Sequence, residues 1–528
     1  MSILSELLPS GSGSDIATFV ASGLLSSGSP VVLKSNGEIE SVTGQHIIIA
    51  QNIPVVTPQV YAANVAKYSD FKGKIAYDPN TENKFVVLYM DGDNNNYPSV
   101  AVGTIAGTTL TFGTPVVINS SPSQEAHISF DPNTAGRFVI GFNDSGLSAN
   151  SNYRGFAIVG TVSGTTITLG TKVQHQVAGS RVQNVAFDPN TANTFVIAYN
   201  QEAYTGSTVT GGFSVAATIA GTVITFGSRV AFEPPFSANE SIQFSLSVSF
   251  DPTEAGRFVV LYKVSQGSPA TTNTARAVIG TVSGTTITFG TVYVHHSGLF
   301  EFTTGSFDTA GGRFVSIVTP SAFGTQPTAI LGTVSGTTIT FGTAVNYAGR
   351  AEGINNPIAF DPTEAGKFAV LFMLAGGQDP LVVIGKVTGT SFTFNTPAPI
   401  NNSQVNNTMR DFSLDFNPFL RGRFIALGRE ENNNQRNVAI ICQRDVDIKV
   451  TNLTTSNFVG LTAEEIVSGA SGSVTLQAGV SLNQTSLTIG ETYYVQYDGA
   501  VTTVADAQAV NIGKALSATT LKLKGLAL

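Results

Sequence analysis

Six aspartates recur in one short phrase and form the largest set of titratable residues that could act together: Asp78, Asp131, Asp188, Asp251, Asp308 and Asp361. A ring of carboxylates can bind cations, and two set across a sugar can act on a glycosidic bond. The local sequence favours another role. Asp-Pro-Asn-Thr and Asp-Pro-Thr-Glu stand between two apolar runs, where Asp accepts backbone N–H bonds and Pro presets the turn. An active site needs asymmetry, whereas a carboxylate repeated in every unit suits a scaffold. These residues are therefore expected to be turn structure, and no catalytic residue is assigned.

The other reactive side chains are scattered. His295-His296 is the one histidine pair, and neighbours on a strand point to opposite faces, so it makes a poor metal site. The single cysteine, Cys442, lies in the apolar run Val438 to Cys442 and reads as a buried thiol. The many glycines fall at hairpin turns, and none forms a phosphate-binding loop. No metal or cofactor is expected. Polar loops that differ from unit to unit, 91–98, 143–154, 201–212 and 430–436 among them, are where binding would be expected, against the alternative of solvated loops that hold no ligand. Asn95, Tyr97, Tyr153, Tyr204 and Asn432 are the candidates to hold a surface ligand through amides and rings.

These residues are carried by an internal repeat. Gly332 to Thr343, Gly-Thr-Val-Ser-Gly-Thr-Thr-Ile-Thr-Phe-Gly-Thr, has near-copies beginning at Gly103, Gly160 and Gly280, a looser one at Gly385 and a diverged one at Ala217. Each reads as strand, tight turn, strand. The Asp phrase stands upstream of each and occurs seven times, ending in the variant Leu414-Asp415-Phe416-Asn417-Pro418. Its spacing is 53 to 63 residues up to Asp361. In the second unit strands are expected at 127–130, 137–142, 155–161 and 165–170. Four short strands repeated seven times predict an all-β, seven-bladed β-propeller. The Ser-x-Asp-x-Gly-x-Thr-Trp turn of sialidase-type propellers is missing in full form, since the chain has no Trp.

In each unit a basic residue (Lys84, Arg137, Arg257, Arg313, Lys367, Arg423) is placed to pair with the Asp, and Thr194 breaks the series. The Phe that follows (Phe85, Phe138, Phe195, Phe258, Phe314, Phe368, Phe424) is assigned to the core between blades. The last unit lacks its closing hairpin, so Gln45–Gln51 is expected to supply the missing outer strand. Closure would bring residues near 44 and 450 side by side. The domain plan is then an arm at 1–15 (with Leu4, Leu7 and Leu8 to dock on a neighbour or fray), a propeller at 45–450, and a small discontinuous β domain from 16–44 and 451–528.

Composition narrows the function. Net charge of −8 without a Lys/Arg cluster argues against nucleic acid. No apolar run reaches membrane-spanning length. Met1 to Leu8 has neither the charge nor the apolar core of a signal peptide, so synthesis in a cytoplasm without a secretion signal is expected.

The repeats over 45–450, Gly28-Ser29-Pro30-Val31-Val32-Leu33-Lys34 near the start, and Tyr493-Tyr494-Val495-Gln496-Tyr497-Asp498-Gly499 with Gly513-Lys514-Ala515-Leu516 near the end carry a resemblance. The chain resembles virion structural proteins of tailed bacteriophages, of the tail-fibre and appendage type found in phages of marine bacteria and cyanobacteria. The resemblance implies a virion location, other virion proteins as partners, attachment to a host-surface glycan or protein, and a homo-oligomer such as a trimer. The leading expectation is a non-enzymatic tail component. The alternative is a propeller enzyme of the particle that degrades surface polysaccharide; a free lectin-like adhesin is disfavoured by the missing secretion signal.

Overall fold

The repeated hairpin closes on a glycine at φ near +60°. Gly164 (φ 62°) stands between Ser163 and Thr166, which face each other across the two strands. Glycine at the first of two loop positions matches the hairpin turn whose twist suits the flanking strands. The computed structural model describes residues 15–50, 59–62, 74–121, 123, 125–144, 153–177, 179–202, 210–233, 240–266, 272–320, 326–349, 355–374, 380–400, 409–430, 436–504 and 509–525. Its elements are antiparallel strands.

Contacts divide the chain into two compact units, one from residues 1–50 with 446–528 and one from 51–445. Among the described residues the second unit holds seven similar sheets. In the second repeat the strands are Ala126–Phe130, Arg137–Asp144, Arg154–Ser163 and Thr166–Leu169, and Val173–Gln176 also pairs with the third strand. The outer edge of each of the first six blades is thus shared by two short segments, one more than the sequence pattern indicates. The last blade contains Met409–Phe416, Arg423–Glu430 and Asn437–Gln443.

Its outer edge is covered by Gln59–Ala62, with Val60 opposite Val438. This departs from the expected closing strand. Gly44–Ala50 pairs with Asp445–Thr451 in a separate two-stranded ribbon. Tyr61 fills the blade edge by packing 5.5 Å from both Tyr89 and Phe112. Thr43 and Asn452 do lie side by side, joined by a bond from Asn452 N to Thr43 O of 3.2 Å.

The first strands of the blades are successive neighbours, and the seventh also neighbours the first. An inner strand has a free edge whose N–H and C=O groups need partners. The preceding blade provides them. Ser249 Oγ accepts from Phe307 N (3.1 Å), Ser245 Oγ from Thr303 N (2.6 Å) and Ser413 Oγ from Ile75 N (3.4 Å). Apolar cores fill the seams, and one joins Phe85 and Val87 of the first blade to Ile425 and Ile441 of the seventh.

The recurring aspartates are buried and form turns. Asp361 Oδ1 accepts from Thr363 N at 2.9 Å, and Oδ2 accepts from Gly422 N of the next blade at 2.9 Å. Asp78, Asp188, Asp251 and Asp308 reach Gly136, Gly256, Gly312 and Gly366 in the same way. The basic residues take different partners, and Lys367 pairs with Glu364. Arg137, Arg257 and Arg313 pair with their own Asp. Lys84 and Arg423 donate to turn carbonyls of the following blade, Gly164 and Gly107, so Arg423 links the last blade to the first.

All seven Phe residues are fully buried. Five of them lie over a glycine of the third strand, where an added Cβ would come within 2.0–2.3 Å of the ring (Gly103, Gly160, Gly280, Gly332 and Gly385). In the third blade Ala217 stands opposite Phe195, which shows that the ring can yield to one methyl group. Gly160→Val is therefore expected to lower stability by about 1–3 kcal/mol, as overpacked cores do, and Gly160→Ala by less. Denaturant midpoints of the two variants check this order.

In the first unit, strands from both ends of the chain form one sheet. Ile16–Val20 pairs with Ser471–Leu476, and Pro30–Leu33 with Phe458–Thr462. A second sheet holds Val480–Ser481, Thr492–Val495, Val501–Thr502, Val510–Ala515 and Leu521–Leu523. Val32, Leu461, Val495, Ile512 and Leu521 share a core between the sheets.

Candidate functional site

The seven inner strands enclose a cavity of about 730 Å³ to which every blade contributes. Its wall is mostly hydroxyl, amide and apolar, and the repeat predicts near-sevenfold regularity. In one column that regularity fails at a single blade. The residue before the first aromatic of each Asp phrase is Ala76, Ser129, Ala186, Ser249, Ser306, Ala359 and, in the last blade, Asp415. All seven line the cavity.

Asp415 is half-buried at the seam between the seventh and first blades. Its Oδ2 accepts from Tyr77 N at 2.8 Å, and its Oδ1 from Phe416 N at 2.9 Å. Burial pushes the carboxyl up to about 7, and the two N–H bonds offset only part of that rise. A carboxyl poised near neutrality in an open cavity is placed to give or take a proton. Its surroundings are also particular to this seam. Tyr77 stands where the other blades have Phe, and Asn417 where they have Asp.

The other carboxylates on the wall are Glu125 and Glu301. Glu125 stands five residues before its aromatic and Asp415 one, so they differ by four positions, about 13 Å along the strand direction. Paired glycosidase carboxylates stand roughly 5–9.5 Å apart, so neither glutamate is assigned as a partner of Asp415.

The loop candidates take separate positions. Asn95 is exposed with φ 52°, and Tyr97 is half-buried at the start of Tyr97–Ala106 in the first blade. Tyr153 belongs to the second blade. It is buried, with the Arg181 guanidinium 5.0 Å over its ring and Arg181 paired to Glu202, so its ring is already engaged. Tyr204 and Asn432 lie outside the described residues. Among the described residues no group of three or more His, Cys, Asp or Glu could hold a metal ion. His295 stacks on Phe341 and bonds to Ser316 at 2.9 Å. Cys442 is buried opposite Phe424, and burial pushes its thiol well up.

These shifts make a stability profile. Burial pushes His127 and His295 down to about 3 and His175 to about 4. Unfolded imidazoles bind protons near 6.5, so each histidine's contribution is lost as pH falls from there. Asp415 has the opposite sign: the folded state keeps its proton up to about 7, the unfolded chain only to about 4, and stability falls as pH rises between them. Burial also lowers His296 and raises Asp91, so four histidines oppose two carboxyls. The melting temperature is expected to rise from pH 4 to 6.5, more steeply in Asp415→Ser than in the parent, which a pH series of thermal melts checks.

No protein-family model matches the sequence, and no curated protein sequence matches it. Solved structures do. The BP39L lectin of Burkholderia pseudomallei is similar at a TM-score of 0.50 and 11% identity, over 74% of this chain and 100% of the lectin. The NanB sialidase of Streptococcus pneumoniae is similar at 0.41 and 10%, over 75% of this chain and 70% of its own. The GH93 α-L-arabinofuranosidase of Fusarium graminearum is similar at 0.42 and 9%, over 74% and 98%. The fold is a β-propeller. Enzymes among these neighbours correct the expectation that the chain is not an enzyme: rings of this kind also carry glycosidases, so a regular repeat is no ground against catalysis. The carboxyl of Asp415, alone in a column of alanines and serines, is a functional candidate that the regular part of the repeat does not show. Aligning the seven phrases column by column would have found it.

Proposed function

We propose that the chain is a closed seven-bladed propeller that takes a polysaccharide into its central cavity and cleaves it, with Asp415 as the proton donor. The observation that carries this is one titratable carboxyl in an otherwise neutral column of seven cavity-lining residues. Protonated Asp415 gives its proton to the leaving glycosidic oxygen as the bond to the anomeric carbon breaks. A water entering the open cavity supplies the new hydroxyl and releases a proton to solvent, from which Asp415 is recharged. The names of the neighbours, a lectin, a sialidase and an arabinofuranosidase, are in keeping with a carbohydrate ligand.

The setting we propose is a tailed-phage particle, where degrading envelope polysaccharide would accompany attachment to the host. The repeat phrases and the terminal modules support this part. Incubation with bacterial envelope polysaccharide is expected to release reducing ends, and no release at any pH between 5 and 8 rejects the enzymatic reading. Absence of the protein from purified intact particles rejects the virion setting.

A further inference from the structure

Which polysaccharide the cavity accepts is a question of charge. Around the ring the wall presents Ser129, Ser249, Ser306 and Ser413, all neutral hydroxyls, and its one lysine among the described residues is Lys74. Among the described lining residues there is no arginine. A polymer bearing carboxylates, sulfates or phosphates is recognised by clustered cations, above all by the bidentate fork of arginine. Glu125 and Glu301 on the same wall would repel such a polymer. His127 adds no charge, because burial holds its imidazole neutral down to about 3.

Two further features suit an uncharged sugar. At the end of the inner strands that leads into the Asp-Pro turns, Pro79, Pro132, Pro189 and Pro252 line the cavity. Their pyrrolidine rings are apolar and lack a backbone donor, as the C–H face of a pyranose requires of a neighbour. Deeper in the wall Ser247 is 7% exposed, and its Oγ has no hydrogen-bond partner. Buried hydroxyls are ordinarily bonded, so an unpartnered one in a residue that lines the cavity is left for a ligand hydroxyl to satisfy.

We infer that the cavity takes an uncharged polysaccharide, its hydroxyls bonding to Ser247 and its ring faces lying against the prolines of the first four blades. This rests on the carbohydrate-acting reading above. The test is affinity electrophoresis of the intact chain through gels containing dextran, laminarin or mannan, or alginate or polygalacturonate. Retardation by a neutral polymer is expected, and Ser247→Ala is expected to weaken it about 3- to 10-fold, the size of one hydrogen bond. Retardation by the acidic polymers alone overturns the inference and leaves the carbohydrate reading standing. Neutral binding that Ser247→Ala leaves unchanged overturns the placement in the cavity. Retardation by none of the five overturns the carbohydrate reading itself.

Discussion

Asp415→Ser is expected to fold like the parent and to lose about 10²–10⁴-fold in polysaccharide cleavage, the usual contribution of a positioned acid. Serine is the residue that the ring itself uses here. Ser249 occupies the same column and its Oγ accepts from the next blade at Phe307 N, so serine at 415 can accept from Tyr77 N and keep the seam closed. A structural role for Asp415 would leave the rate unchanged in this variant. The parent's own pH profile gives a second readout. Its rate is expected to fall as pH rises through about 7 and Asp415 loses its proton, and initial rates of reducing-end release between pH 5 and 9 measure this.

Asp361→Ala is expected to be the most damaging single change to the scaffold. It removes the acceptor for Thr363 N within the blade and for Gly422 N in the next, and one partner of the buried Arg444. Arg444 keeps Glu364, so two backbone donors are left unpaired, which costs about 2–6 kcal/mol in total. Asp361→Asn is expected to cost roughly half as much, since Asn417 builds the same turn in the last blade through Oδ1, accepting from Phe419 N at 2.8 Å. Urea unfolding of both variants tests the order. Equal losses would show that the link between blades contributes little.

The parts legible in the sequence are those set by near neighbours. Hairpin glycines such as Gly164, the Asp-Pro turns and the buried Phe column follow from residues a few positions apart. What escaped depends on contacts across blades. Nothing near Asp78 shows that its second oxygen serves Gly136, 58 positions away. The closing strand was misplaced for a related reason. His46 to Ile49 has the stronger strand pattern, yet Gln59–Ala62 fits the edge beside Asn437–Gln443 because Tyr61 meets Tyr89 and Phe112 there. Among the loop candidates, nothing near Tyr153 in the sequence places the Arg181 guanidinium over its ring. Asp415 was hidden for the opposite reason: it stands inside the repeated phrase, where differences between copies draw less notice than their agreement.

A complex with a neutral oligosaccharide, solved crystallographically on the intact chain, tests the central claim most directly. The account predicts sugar density inside the ring, with a glycosidic oxygen within hydrogen-bond reach of Asp415 and a hydroxyl on Ser247. Sugar bound on the outer loops near Asn95 and Tyr97, with the cavity holding only water, would contradict it.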